Sequence, residues 1–104
     1  MEKNFENLNY IVIPPKVRFD IRLSPGAKIL YGEICSQCNE TGTCICNTKY
    51  LADLYSVDVT TVSRWIRELR RNKYIECETK YTMIEHTTGI REVERRFLKI
   101  TAWD

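Results

Sequence analysis

Apolar residues recur at helical spacing in two stretches of the first half of the chain. The first begins after Ser24-Pro25, a pair in which serine can cap a helix and proline fits its first turn, and ends near residues 39–42. The second covers residues 48–55, with Asn47 as the capping residue. Both stretches are predicted as helices, and their buried faces are expected to carry Ala27, Leu30, Tyr31, Ile34, Cys38, Leu51, Leu54 and Tyr55.

A third helix is predicted from Val59 to Asn72. Asp58 precedes it as a candidate N-cap whose carboxylate complements the helix dipole, and Asn72 suits the left-handed conformation that ends many helices. The apolar residues of this helix fall 3, 1 and 3 positions apart, which predicts one buried stripe made of Val62, Trp65, Ile66 and Leu69. We expect that stripe to pack against Leu30, Ile34, Leu51 and Leu54.

The last third of the chain has the composition of β-structure. Residues 74–83 and 91–101 are rich in Tyr, Ile, Thr, Val and Phe, and residues 85–89 between them contain the turn-forming run Thr-Thr-Gly. They predict a β-hairpin, with a bulge or an uncertain register at residues 95–98, where the alternation is imperfect. A brief strand is also predicted at residues 43–46, which are too few for a helix.

The first 23 residues are predicted as an extended arm that precedes the folded domain of residues 24–104. The apolar run from Tyr10 to Ile13 leads into Pro14 and Pro15, which favour an extended backbone and are excluded from a helix interior. We expect the arm to form a short strand or to pack on the body of the domain.

A length of 104 residues with 43% hydrophobic and 29% charged residues predicts one globular domain with a single core. There is no room for a cofactor fold beside a substrate domain, and the sequence has neither a Gly-rich phosphate loop nor a nucleophile near a base. We therefore expect no catalysis and no cofactor. The chain start is not signal-like, no apolar run approaches transmembrane length, and the cysteine count is odd, which together predict a protein of the reducing cytoplasm.

Basic charge is concentrated on the third predicted helix. The segment from Val59 to Lys73 carries five basic residues and one acidic residue, Glu68, whereas the rest of the chain has a small acidic excess. A solvated helix face usually interleaves acidic with basic residues four positions apart, so the excess of one sign favours an anionic partner. A solvated face without a partner is the alternative interpretation.

Three helices followed by a hairpin, with a short helix, a tight turn and a longer basic helix in the middle, is the order of a winged helix-turn-helix domain. The predicted fold class is therefore α+β, with three helices, a short strand and a C-terminal hairpin wing. Such a fold binds double-stranded DNA by placing the exposed side of its basic helix in the major groove.

The candidate DNA contacts fall into three groups. Base-edge contacts are expected near the start of the third helix, from Val59, Thr60, Thr61, Ser63, Arg64 and Arg67. Phosphate contacts are expected nearer its end, at Arg70, Arg71 and Lys73. Lys49, on the preceding helix, is also a candidate DNA contact. The hairpin tip is either an ordinary turn or a wing that reaches DNA through His86, Thr87 and Arg91.

The runs YIVIPPKVRFDIRLSPGAKILYGEI and NTKYLADLYSVDVTTVSRWIRELRRNKYI resemble the DnaD-like N-terminal winged-helix domain of replication initiators and replisome organisers from phages and plasmids of Gram-positive bacteria. The resemblance covers residues 10–75, and RLSPGAKILYGEI and TVSRWI are its most specific parts. It implies DNA binding at a replication origin, with residues 59–71 in the groove. It also implies a homodimer on repeated half-sites and a replication helicase or loader recruited through a region outside this chain.

Two other functions fit the same residues. A transcription regulator needs only the same helix in a groove, and a protein-interaction module would dock the basic stripe on an acidic partner. The dimer contact is expected at the arm, residues 10–13, or at the edge of the hairpin.

Four cysteines lie close together in the sequence, with the spacing C-x2-C-x5-C-x-C: Cys35, Cys38, Cys44 and Cys46. Four thiols can hold a tetrahedral zinc ion, but common zinc sites pair two C-x2-C-like knuckles, and the second pair here is C-x-C. We therefore expect these residues, with Cys77 as a fifth, to be small hydrophobes of the core that bind no metal.

Overall fold

The structure is a computed structural model that describes residues 10–38, 40–87 and 89–101. The described ranges contain four helices, in chain order α1 (Pro15–Arg18), α2 (Pro25–Gln37), α3 (Thr48–Tyr55) and α4 (Val59–Arg71). They also contain three strands, β1 (Thr43–Ile45) between α2 and α3, then β2 (Ile75–His86) and β3 (Gly89–Ile100) after α4. The three helices, the brief strand and the hairpin predicted from the sequence correspond to α2, α3, α4, β1 and β2–β3.

The starts of α2 and α3 lie at the predicted capping residues. The Ser24 side chain accepts a hydrogen bond from the backbone N–H of Ala27, with Pro25 at the first helical position. The Asn47 side chain accepts one from the N–H of Tyr50 at 2.9 Å. Each cap satisfies a backbone donor that the first helical turn leaves without a partner, which confirms both helix starts.

The ends of α4 differ from the prediction in two details. Asp58 occupies the N-cap position, but among the described residues its carboxylate makes no capping hydrogen bond. The left-handed residue after the helix is Lys73, with φ 67°, and not Asn72, whose side-chain amide donates to the Glu68 carbonyl and stays close to the helical path. The N–H groups of Lys73 and Tyr74 close the helix on the carbonyls of Arg70 and Leu69, which is the Schellman arrangement.

Within residues 10–24, the segment before α2 is not the extended arm that the sequence predicts, and residues 1–9 of that predicted arm lie outside the described residues. Residues 15–18 form α1, with Pro15 in the first turn, where the missing N–H of proline costs no hydrogen bond. Val17 and Leu23 are buried in the core. Ahead of α1, the side chains of Ile11 and Ile13 lie over Gly32 of α2. The arm therefore packs on the body, as one of the two expectations had it, and supplies part of the core.

The core lies between α2, α3, α4 and one face of the sheet. It is built by the following buried residues: Val17, Leu23, Ala27, Leu30, Tyr31, Ile34, Cys38, Cys44, Leu51, Ala52, Val62, Ile66, Leu69, Tyr74, Ile75, Leu98 and Ile100. Leu54, which the helical spacing assigns to this core, is 47% exposed, and the residues that α3 buries are Leu51 and Ala52. Trp65 is half-buried at the edge of the core.

The sheet is antiparallel with the strand order β1-β3-β2. The pairing of β2 with β3 is continuous from Ile75 opposite Ile100 to His86 opposite Gly89, so the bulge expected at residues 95–98 does not occur. β1 pairs only with residues 97–99. From Thr79 opposite Arg96 to His86 opposite Gly89, β2 and β3 form a two-stranded ribbon of eight residue pairs, about 25 Å long.

Candidate nucleic-acid interface

Helix α4 presents one buried side and one exposed side. Val62, Ile66 and Leu69 are buried, which confirms the predicted apolar stripe at these three positions. Thr60, Arg64, Arg67 and Arg71 are exposed and follow each other at spacings of four, three and four, so they share the side opposite the core. The helix is thus anchored along its length while it displays three guanidinium groups and a hydroxyl in a row.

Helix α4 also packs against the start of α2, through the side chain of Trp65. The indole of Trp65 lies over Gly26, so closely that a methyl group at that position would overlap the ring. This contact explains why a residue of the predicted apolar stripe remains half-buried. Only a residue without a side chain allows the two helices to approach at this point.

The single acidic residue of α4 faces inward to this contact. The Glu68 carboxylate accepts hydrogen bonds from the Ser24 N–H at 2.8 Å and from the Ser24 hydroxyl at 2.9 Å. Glu68 thereby satisfies donors at the start of α2 and its negative charge complements the positive end of that helix. The arginines of the exposed side therefore have no acidic neighbour on α4 that points outward with them.

Two surface grooves flank the exposed side of α4. The first lies against the turn that precedes α2 and is lined by Ile21, Arg22, Leu23, Ser24, Arg64, Arg67, Glu68 and Arg71. The second lies against the base of the hairpin and is lined by Arg67, Arg70, Arg71, Ile75, Glu76, Cys77, Glu78 and Lys99. Arg67 and Arg71 belong to both grooves, which makes them the centre of a continuous basic surface.

The turn at residues 20–23 is held rigidly. The Asp20 carboxylate accepts hydrogen bonds from the backbone N–H, Nε and Nη2 of Arg22 and from the Tyr74 hydroxyl, all at 2.7 to 2.9 Å. The Arg22 guanidinium, followed by the Tyr74 hydroxyl, holds the pKa of Asp20 well below its usual range. Tyr74 is itself buried, with its ring edge-on to Tyr31, so the turn is tied to the core.

The other predicted DNA contacts on α4 differ in how far they are exposed to solvent. Val59 is exposed, Thr61 and Ser63 are half-buried, and Arg70 is exposed on the flank that faces the hairpin. Lys73 is exposed beyond the end of the helix. All of them nevertheless lie on or directly after α4, as predicted.

Of the candidates outside α4 whose side chains the structure describes, Lys49 and Thr87 line neither groove. Lys49 is exposed on α3 and pairs with Asp53 at 3.5 Å, one helical turn away. His86 is the last residue of β2, Thr87 is an exposed turn residue, and Arg91 lies in β3 at the far end of the ribbon. The side chains of His86 and Arg91 lie outside the described part of the structure, so their predicted roles stay predictions.

Sequence reasoning missed the turn before α2. Ile21 and Arg22 line a groove together with Arg64, Arg67 and Arg71 of α4, which lie more than 40 positions later in the chain. The run Asp20-Ile21-Arg22 carries no motif that marks it. Its position depends on Tyr74, and no local pattern reports that contact.

All five cysteines lie within the described residues and none forms a disulfide. Cys38 and Cys44 are buried, and a hydrogen bond from the Cys38 thiol lowers the pKa of Cys44. Burial raises the pKa of Cys46. In the described ranges no group of three or more Cys, His, Asp or Glu side chains is arranged to hold a metal ion.

The helices, the antiparallel sheet and the long hairpin define an α+β fold of the winged-helix type, with a basic helix exposed on one side. A model of the helix-turn-helix domain matches residues 22–75, slightly more than half of the chain, and the chain belongs to that family. The match includes α2, α3 and α4 and so confirms the prediction of a helix-turn-helix DNA-binding domain. Comparison with curated proteins and with solved structures found no match.

Within residues 10–38, 40–87 and 89–101, the longest helices have 13 residues, and none is long and apolar enough to cross a bilayer.

Proposed function

We propose that the chain binds double-stranded DNA sequence-specifically, with α4 in the major groove and without a catalytic step. The observation that carries the proposal is the row formed by Thr60, Arg64, Arg67 and Arg71 on a helix whose opposite side is buried. A recognition helix must be held rigidly to read base edges, and the anchors at Trp65 and Glu68 supply that rigidity.

The arginines have two expected roles. Arg64 and Arg67 lie mid-helix on the exposed side, where a guanidinium can donate two hydrogen bonds to a guanine edge. Arg70 is on the flank and Lys73 follows the helix end, where contacts with the phosphate backbone position the protein without reading sequence.

The test begins by selecting a site from a random DNA pool. Affinity is then measured by fluorescence anisotropy for the selected duplex and for a scrambled duplex of equal length, over a range of salt concentrations. Arg64→Ala should cost about 1–3 kcal/mol on the selected duplex and little on the scrambled one. Arg70→Ala should weaken both alike and reduce the salt slope by about one.

Arg18→Ala provides the matched control, because Arg18 is an exposed arginine of α1 that lines neither groove. It removes the same charge and should change neither affinity nor salt slope by more than the measurement error. If reversing the charges of Arg64 and Arg67 together leaves binding to the selected duplex intact at moderate salt, α4 is not the reader. The interaction-module interpretation then becomes the better one.

For the biological role we propose replication initiation at a phage or plasmid origin, in the cytoplasm, because the sequence of residues 10–75 resembles that class of initiators. Transcription regulation uses the same contacts and is the alternative. The selected site separates the two when it is mapped on the genome that encodes the chain. Repeated copies at an origin support initiation, and copies at promoters support regulation.

We further propose that the protein acts as a homodimer. Tyr10 and Val12 alternate with Ile11 and Ile13, and while the isoleucines lie over Gly32, Tyr10 and Val12 are 66% and 64% exposed. Replacing Tyr10 and Val12 by Ser should therefore weaken self-association without removing core contacts. An unchanged dimer in sedimentation velocity would move the contact to the hairpin edge.

A further inference from the structure

The turn before α2 exposes an apolar side chain beside the basic surface. Ile21 is 96% exposed, more than any other large hydrophobic residue in the described part of the chain. Together with Arg22 it lines the same groove as Arg64 and Arg67. A single exposed isoleucine is common on protein surfaces, and what distinguishes this one is its place in a groove lined by four arginines, Arg22, Arg64, Arg67 and Arg71.

The turn is preorganised for such a partner. The bonds between Arg22 and Asp20 use Nε and Nη2 of the guanidinium, which leaves Nη1 outside the pair. The Arg22 side chain is 61% exposed, whereas Asp20 is 7% exposed and is turned toward Tyr74. The carboxylate thus orients the guanidinium from behind, and the arginine loses little conformational entropy when it binds an anion.

The two flanks of α4 differ in where their carboxylates point. On the hairpin side Glu76 and Glu78 are exposed to solvent. On the turn side the carboxylates of Asp20 and Glu68 accept hydrogen bonds from Arg22, Tyr74 and Ser24. On the turn side the carboxylates are thus turned away from the α4 arginines of the groove, whereas on the hairpin side Glu76 and Glu78 share the surface with Arg70 and Lys99.

We infer that the turn at residues 20–23 is a second DNA contact, in which Arg22 binds a backbone phosphate and Ile21 lies against the adjoining deoxyribose. The inference rests on the proposed function and adds to it a contact outside the recognition helix. It places one strand of the duplex along the turn side of α4.

The test uses the full chain with the selected and scrambled duplexes. Each neutralised phosphate contributes about 0.9 to the slope of log affinity against log salt. For a fourfold rise in salt, the affinity of the unchanged protein should fall about 3.5-fold more than that of Arg22→Ala, on both duplexes. Arg18→Ala removes one positive charge at a position outside both grooves, and it should retain the full slope of log affinity against log salt.

A second variant, Ile21→Glu, tests the same contact without touching the bonds of Asp20. Because Ile21 is almost fully exposed, this change should leave the urea midpoint unchanged and weaken binding to both duplexes. The inference is overturned if Arg22→Ala and Ile21→Glu both bind with the slope and affinity of the unchanged protein while Arg64→Ala loses affinity. If Arg64→Ala also binds normally, it is the proposed function that fails.

Discussion

Glu68 offers the sharpest test of how this fold displays its basic helix. Its carboxylate accepts two hydrogen bonds from Ser24, at 2.8 and 2.9 Å, in a half-buried position between α4 and α2. A hydrogen bond to a charged group contributes about 1.5–3 kcal/mol. Since the site is partly exposed, the lower value applies to each bond, and Glu68→Ala should lower the free energy of unfolding by about 3 kcal/mol.

Glu68→Gln should cause a smaller loss of stability than Glu68→Ala. The amide retains one oxygen that can accept from the Ser24 N–H but loses the negative charge and one acceptor, so the expected loss is about 1.5 kcal/mol. Glu40→Ala is the matched control, because Glu40 is an exposed turn residue and its removal changes the net charge equally. A surface substitution of this kind should stay within about 0.5 kcal/mol of the unchanged protein.

Urea denaturation followed by circular dichroism measures all three variants, with the slope m checked for constancy. The reasoning is wrong if Glu68→Ala unfolds within 0.5 kcal/mol of the unchanged protein. It is equally wrong if Glu40→Ala loses as much as Glu68→Ala, since the loss would then report net charge and not the bonds to Ser24.

Three further predictions concern the core, the turn and the thiols. Ile66→Ala should cost about 2–5 kcal/mol in urea denaturation, as a buried large-to-small change does, whereas Leu54→Ala at a half-exposed position should cost under about 1 kcal/mol. Because the pKa of Asp20 is lowered by folding, its contribution to stability is complete above about pH 4 and is lost as the pH falls below that value, so the stability deficit of Asp20→Asn should be largest at pH 7 and shrink at pH 3. Reduced protein should contain no stoichiometric metal, and a chelator should leave its melting curve unchanged; one zinc per chain would contradict this.

The elements that the sequence predicts well are those with local signals. Ser24 and Asn47 cap their own helices within three residues, so their positions in the sequence are enough to place the helix starts. The stripe Val62, Ile66 and Leu69 follows from periodicity alone, because a helix with one apolar side has only one way to face a core.

The features that the sequence did not predict are determined by contacts between distant residues or by competition between neighbouring residues. Asn72 is a good left-handed residue, but its side chain binds the Glu68 carbonyl and Lys73 takes that conformation. Leu54 has helical spacing, yet α3 turns Leu51 and Ala52 to the core and leaves Leu54 half-exposed. The turn at residues 20–23 depends on a hydrogen bond between residues 54 positions apart, Tyr74 and Asp20, which no sequence window contains.

The hairpin shows why alternation was a poor guide to its register. At its base, Ile75 opposite Ile100 and Cys77 opposite Leu98 hold one face on the core, while β1 pairs with the other edge of β3.

Beyond Thr79 the ribbon is two-stranded, and Tyr81, Met83 and Ile90 are exposed, so neither burial nor a third strand selects for a strict pattern there. From the base the pairing continues in the same register to His86 opposite Gly89, despite the irregular sequence. A ribbon of this kind is marginally stable without a covering surface. In the proposed DNA site, α4 and the turn before α2 are therefore the parts that the core holds in place, and a contact from the hairpin tip would add to them.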